Sequence, residues 1–200
     1  MFDVPLKPST NLIGSIDVEA LVASFPAHYL VKGMFCNRFL DLLAGDFEAL
    51  RPRLIAPPLR GRYLPFKDYP QADYVRIAFA AAVKQFPRLE LAEAMRRAGR
   101  DDFNTFAHST MGKVTLAVIG DPHNALLHLP EAIARIAPGP ELGAEERGAR
   151  AVRVILVRYL GSVEYLLGQF EGIVMSYDQS PVTTIHRVDR DTLTIDVDHG

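Results

Sequence analysis

The sequence predicts an α+β fold, in which a helical N-terminal part packs on a C-terminal, mostly antiparallel sheet built as strand–helix–hairpin. Three observations predict it. Apolar residues recur at helical spacing through most of the segment from residue 17 to residue 136. Residues 151–157, Ala-Val-Arg-Val-Ile-Leu-Val, form a β-branched run. Residues 182–186 and 193–197 alternate with period two on either side of Asp189-Arg190-Asp191, the pattern of a hairpin.

Each element has its own signal. Residues 1–15 are polar and contain prolines, and read as a flexible arm. Asp17 opens a short helix with Val18, Leu21 and Val22 on one side. Tyr29-Leu30-Val31 reads as a strand, and Gly33 as a bend or a close backbone approach. Phe35, Phe39, Leu42 and Leu43 mark a helix that ends at Gly45. Residues 51–70 are rich in Arg and Pro and read as a long loop. Four helices are expected next. The first carries Tyr74, Ile77, Ala78, Ala81, Ala82 and Phe86 on its inner face, and is apolar on most sides. The second starts at Pro87 and ends at Gly99, with Glu93 and Arg97 paired on its outer face. Asp101 or Asp102 caps the third, and Asp121-Pro122 opens the fourth, which bends near Pro130. Residues 138–150 read as a loop. After the strand at 151–157, Leu160 to Val174 forms a long amphipathic helix on which Gly168 and Gly172 make one smooth face. The expected organisation is an arm at 1–15 and one domain at 16–200. Its parts are a helical lobe at about 16–137, a loop at 138–150 and the strand–helix–hairpin at 151–198.

Composition narrows the function. The 22 basic and 24 acidic side chains give a net charge of −2, which argues against a nucleic-acid binder. Cys36 is the single cysteine, so the chain makes no internal disulfide and no cysteine-cluster metal site, and a reducing cytoplasm is its natural setting. No apolar run reaches the length of a membrane span, and residues 1–11 lack the apolar core of a signal peptide.

Catalytic motifs are missing from the sequence: it has no Walker A loop, dinucleotide fingerprint, zincin pair or nucleophile elbow. Ser162 lacks the second glycine of an elbow and reads as a helix N-cap. His123 and His128 are five residues apart, about 140° around a helix, and so are badly placed to share a metal. His128 reads as a half-buried core residue or as an axial heme ligand. Glu164 and Glu171 are two turns apart and share a helix face, Glu171 as a buried acceptor or a solvated residue.

Several motifs occur together in a telling order. They are Gly99-Arg100 followed by Phe103, Thr105 and Phe106; His128-Leu129; and Tyr165-Leu166-Leu167-Gly168-Gln169-Phe170-Glu171-Gly172 before a terminal hairpin. This order resembles the heme-nitric oxide/oxygen binding (H-NOX) domains and, more distantly, the 4-vinyl-reductase-type (V4R) sensor domains. A closer resemblance is to a paralogous family of uncharacterised myxobacterial proteins of about this length. It rests on Leu30-Val31-Lys32-Gly33, Phe86-Pro87, Gly99-Arg100 and Gly168…Glu171-Gly172. The resemblance implies an H-NOX/V4R-like fold. It would place an axial heme histidine at His128. The Tyr-x-Ser-x-Arg motif that holds heme propionates is absent, since its positions fall on Leu156, Arg158 and Leu160. No heme cofactor is therefore expected, and a lone Cys36 does not supply the zinc chemistry of the V4R domains.

The function expected is a non-enzymatic sensory or signalling domain that binds a small hydrophobic ligand or a protein partner. The residues expected to line a cavity are Phe79, Phe86, Phe103, Phe106, Leu127, Leu167 and Phe170. Arg53, Arg60 and Arg62 are the expected partner surface. A homodimer scaffold, through a sheet edge or the Gly168/Gly172 face, and a heme gas sensor through His128 are the alternatives.

Overall fold

The computed structural model describes residues 4–6 and 18–200. Asp17, expected to open the first helix, and the expected arm at 1–15 apart from residues 4–6 lie outside the described residues, while Val4–Leu6 (β1) pairs with a strand near the C-terminus. Then come α1 (Val18–Ala23), β2 (Leu30–Lys32), α2 (Gly33–Leu43), the single turn α3 (Phe47–Leu50), β3 (Asp68–Pro70) and α4 (Gln71–Gln85). They are followed by α5 (Leu91–His108), α6 (Thr110–Ile119), α7 (Pro122–Leu127) and α8 (Leu129–Ile136). The C-terminal part is β4 (Glu141–Gly148), β5 (Ala151–Val157), α9 (Val163–Met175), β6 (Pro181–Arg187) and β7 (Thr192–His199). The main sheet is antiparallel throughout, in the order β1-β6-β7-β5-β4, and β2 and β3 form a separate ribbon. This is the α+β arrangement that the sequence predicts.

Two apolar cores meet at α9. One is helical and gathers Phe39 and Leu40 of α2, Ile77, Phe79 and Ala81 of α4, and Met95 and Ala98 of α5. The other joins α9 to the sheet through Leu167, Phe170 and Val174 against Val152, Val154, Leu156, Ile185 and Ile195. β5 buries every second residue on this side. On its other face Arg153 donates to both oxygens of Asp196 at 2.6 and 2.8 Å. One sheet face is therefore apolar and the other polar, as an antiparallel sheet permits.

Local chemistry sets most boundaries. Asp121 accepts from the Asn124 N–H at 2.8 Å and caps α7, with Pro122 in the first turn. Pro130 lacks an N–H, so the expected fourth helix splits into α7 and α8 at His128. Ser162 caps α9 through the Tyr165 N–H at 3.0 Å, in agreement with the sequence. Asp189 accepts from the N–H groups of Asp191 and Thr192 at 2.8 Å each, which closes the terminal hairpin.

The structure corrects the sequence at three places. Gly99 does not end a helix: α5 runs on to His108, so Asp101 and Asp102 lie inside it and Ser109 caps the next helix. Arg97 lies over the Phe86 ring, 5.3 Å from its centroid. Residues 141–148 are not loop but the edge strand β4, whose Glu145, Glu146 and Arg147 are exposed, a composition typical of protected edges. The Gly168/Gly172 face is covered by α5 and is no dimer surface.

That covering is a contact of backbone on backbone. A Cβ at Gly99 would stand 2.0 Å from the Tyr165 carbonyl oxygen, one at Gly168 1.9 Å from that of Arg96, and one at Gly172 2.9 Å from the Phe103 Cβ. Glu171 locks the crossing by accepting from Arg96 Nε at 2.8 Å and pairing with Arg100 at 3.2 Å. Gly45 has open space around its Cβ position. Gly168→Ala should cost about 3 kcal/mol or more in urea unfolding, and Gly45→Ala less than about 0.5 kcal/mol. Equal effects would mean that the crossing is not the constraint described.

Candidate functional site

Two cavities sit where the helical part meets the sheet. The larger has a volume of about 630 Å³. Its walls are the segment 26–29, Phe79, the end of β5 with Arg158 to Ser162, and the β6–β7 turn. The smaller, about 100 Å³, is an apolar recess among Val75, Ala78, Met95, Ile133, Leu142 and Leu166. Phe79, Tyr159, Gly161 and Ser162 line both.

The partition between them is built by the chain's local geometry. Arg158 takes a left-handed backbone conformation (φ 48°), with its N–H bound to the Asp191 carbonyl at 2.7 Å. It is the kind of strained position that tertiary contacts must hold. Its guanidinium pairs with Glu141 at 2.7 Å. The turn aims Tyr159 inward, and its ring lies against Gly161, where a Cβ would be 2.4 Å from the phenol oxygen. Burial pushes the Tyr159 phenol well up, and its hydroxyl makes no hydrogen bond among the described residues.

Beside the recess the Gln71 Oε1 is buried without a hydrogen-bond partner among the described residues, whereas the tyrosines and carboxylate there are engaged. Tyr74 donates to Tyr165 at 3.1 Å and Tyr165 to Asp102 at 2.5 Å, while Arg38 pairs with Asp102 at 2.6 Å. This chain ties α4, α9, α5 and α2 together. Burial raises the Asp102 carboxyl, and Arg38 and Tyr165 oppose the shift. Cys36 is buried, and its thiol is pushed up to about 12, chiefly by that burial, which leaves it an inert core residue.

Of the seven residues expected to line a cavity, Phe79 does. Leu167 and Phe170 are fully buried in the core between α9 and the sheet, and Leu127 packs at its margin. Phe103 and Phe106 pack on each other with centroids 5.7 Å apart, and Phe86 sits under Arg97. Of the three arginines, Arg53 pairs with Glu19 at 2.6 Å and Arg62 pairs with Asp41, while Arg60 has no charged partner among the described residues. Sequence reasoning missed Tyr159, Leu160 and Gly161, although Arg158-Tyr159 stands where the propionate motif would fall.

His128 is exposed at the α7–α8 junction and lines neither cavity. The recess is far smaller than the roughly 300 Å³ at which ligand pockets begin, and smaller still than a porphyrin. The residues present therefore do not fit heme ligated through His128. His123 and His199 meet, with 3.2 Å between Nδ1 and Nε2, but no group of three metal-ligating side chains occurs among the described residues. No helix among them is long and apolar enough to cross a membrane.

An antiparallel sheet crossed by α9, with a helical lobe and a cavity between them, is the architecture of the H-NOX domains. Similar solved structures are an unliganded Fe(II) H-NOX mutant from K. algicida (15% identity, 84% of this chain and 96% of that one, TM-score 0.64). Another is an H-NOX protein from S. oneidensis in its Fe(II)NO state (12%, 84% and 99%, TM-score 0.65). An H-NOX mutant from T. Tengcongensis is similar too (20%, 84% and 97%, TM-score 0.60). At these identities the likeness is one of fold. Within that fold the chain belongs to a family of proteins of unknown function, DUF2378, whose model matches residues 26–198. No curated protein matches it.

Glu164, in the first turn of α9, is buried, and its carboxyl is raised to about 7 by burial, against Arg96 and with Glu171. A raised acid favours the folded state below its unfolded pKa and loses that contribution as pH rises towards 7. Glu164→Gln should match the parent protein near pH 4.5 and exceed it by about 1–2 kcal/mol at pH 8 in urea unfolding. A constant difference across that range would remove the assignment.

Proposed function

We propose that this chain is a non-enzymatic sensory domain that binds a small, mainly apolar ligand in the cavity between the helical part and the sheet. The observation that carries the reading is the cavity of about 630 Å³, within the size range of ligand sites, bordered by a tyrosine whose hydroxyl has no partner among the described residues. Leu21, Phe79, Leu156, Leu160 and Leu193 supply apolar contact, the Tyr159 hydroxyl supplies orientation, and Glu141, Arg158, Arg187, Arg190 and Asp191 make the border charged. The absence of catalysis is part of the reading: Ser162 is committed to capping α9, and Tyr74, Tyr165, Asp102 and Arg38 satisfy one another.

Signalling follows from where the walls come from. Phe79 belongs to the helical part and Leu156 and Leu193 to the sheet, so an occupant bridges two bodies. It shifts their packing only as far as it binds one arrangement better than the other. The buried free thiol of Cys36 suits a reducing, cytoplasmic setting.

The test is an absorption spectrum and a native mass spectrum of the purified protein, followed by titration with 8-anilinonaphthalene-1-sulfonate. A colourless protein that carries an organic mass, or that binds the dye, is expected. Leu160→Trp, which fills the larger cavity, should abolish binding. Tyr159→Phe should weaken retention of a hydrogen-bonding ligand about fivefold and leave stability unchanged, because the lost hydroxyl has no partner among the described residues. An empty protein that binds no dye would overturn the reading, as would a Soret band lost in His128→Ala.

A further inference from the structure

The segment after Arg53 exposes four large apolar side chains in twelve residues: Leu59 is 94% exposed, Phe66 80%, Ile55 67% and Leu64 63%. Such a cluster normally belongs to a disordered stretch or to a contact surface. Here the backbone is held fast. Both oxygens of Asp73, on α4, accept at 2.8 Å from the N–H groups of Ile55 and Ala56. The Asn37 amide binds the N–H and the C=O of Tyr63 at 2.8 and 2.9 Å. The Leu64 N–H donates to the Tyr69 hydroxyl at 3.1 Å. The carbonyls of Pro65 and Lys67 accept from the N–H groups of Met34 and Gly33 at 3.0 Å. Leu54 and Tyr63 point into the core beside Ile55 and Leu64, which point out. The exposure is therefore built in.

Charge accompanies it. Residues 51–67 contain four arginines, one lysine and no carboxylate, in a chain whose net charge is −2. Arg51, Arg53 and Arg62 pair with Glu48, Glu19 and Asp41. Arg60 and Lys67 have no charged partner among the described residues. Each stands next in sequence to one of the loop's two most exposed apolar residues, Leu59 and Phe66.

We infer that this loop docks the protein on a lipid bilayer rich in anionic headgroups. Leu59 and Phe66 enter the boundary between headgroups and acyl chains, and Arg60 and Lys67 stay at phosphate level. Affinity on such a surface is the sum of apolar burial and attraction to anionic lipid. A side chain 94% exposed has no neighbouring wall of its own, so its receptor must supply all of the concavity. A fluid bilayer does that around separate protrusions, whereas a protein groove would have to match the spacing of all four. The inference is independent of the ligand cavity.

The test is sedimentation with vesicles of phosphatidylcholine alone and of phosphatidylcholine with about one quarter phosphatidylserine. Binding is expected to the mixed vesicles only, and should weaken as sodium chloride rises from about 0.05 to about 0.5 M. Leu59→Asp with Phe66→Asp should weaken it at least about tenfold. Arg60→Glu with Lys67→Glu should weaken it about tenfold or more and remove most of the salt dependence. All four positions are on the surface, so circular dichroism and thermal midpoints should match the parent. The chain has no tryptophan, so Phe66→Trp gives a clean reporter whose emission should shift to the blue on mixed vesicles. No binding to mixed vesicles, or binding that survives both double substitutions, would overturn the inference. So would a protein held through these side chains by a loop that ignores vesicles.

Discussion

Three glycines on two helices let α5 and α9 cross backbone to backbone, and most of the molecule is arranged around that contact. Gly99, Gly168 and Gly172 each leave a gap that a single methyl group would close. Close approach brings the Arg96 and Arg100 side chains onto Glu171, and Arg96 also reaches Thr183 on β6 at 3.1 Å. α9 is thereby fixed with one face in the helical core and the other on the sheet. Tyr165, on the helical side, then meets Tyr74 and Asp102. The first turn of α9 carries Ser162 and Val163 to the cavity wall.

The fold is that of the H-NOX domains, but the residues present do not fit heme ligated through His128. A histidine in the expected place along the chain is exposed, and the polar clamp is replaced by leucines around an arginine paired with Glu141. What persists is a cavity between two layers. Ligand chemistry resides in a few side chains at its margin, and these change more readily than the layers that hold them. Tyr159 occupies such a margin, held by a strained turn and by Gly161 rather than by a hydrogen bond of its own.

Much of the fold was legible because its signals are local. The alternation in β5 to β7, the caps at Ser162 and Asp121, and the break at Pro130 need only neighbouring residues. The close approach at Gly33 was legible too: a Cβ there would stand 2.5 Å from the Leu64 carbonyl oxygen. Gly99 was misread because a glycine that stops a helix and one that admits another helix look alike in one sequence. The strand β4 was missed because a charged, glycine-containing edge has the composition of a loop. The cavity is least legible: its walls come from segments more than a hundred residues apart, and of the aromatic residues expected there Phe170 is packed in solid core, Phe86 and Phe103 are half-buried and Phe106 is exposed. The charge of the arginine-rich loop is legible in its composition, while its exposed leucines and phenylalanine have the same residue types as the core and nothing local marks them as outward-facing.

The fastenings of that loop lie at its two ends, on Ile55 and Ala56 and again from Tyr63 to Lys67. Between them, residues 57–62 are held chiefly through arginine side chains, with Gly61 taking a left-handed turn (φ 74°). The fold thus has a clamp with an interchangeable tip. Length and sequence can vary between the fastenings at little cost, since closing a longer loop on fixed ends adds only a slowly growing entropy. Changes confined to these six residues would alter the exposed surface and leave the scaffold in place, in the manner of antibody loops on their sandwich.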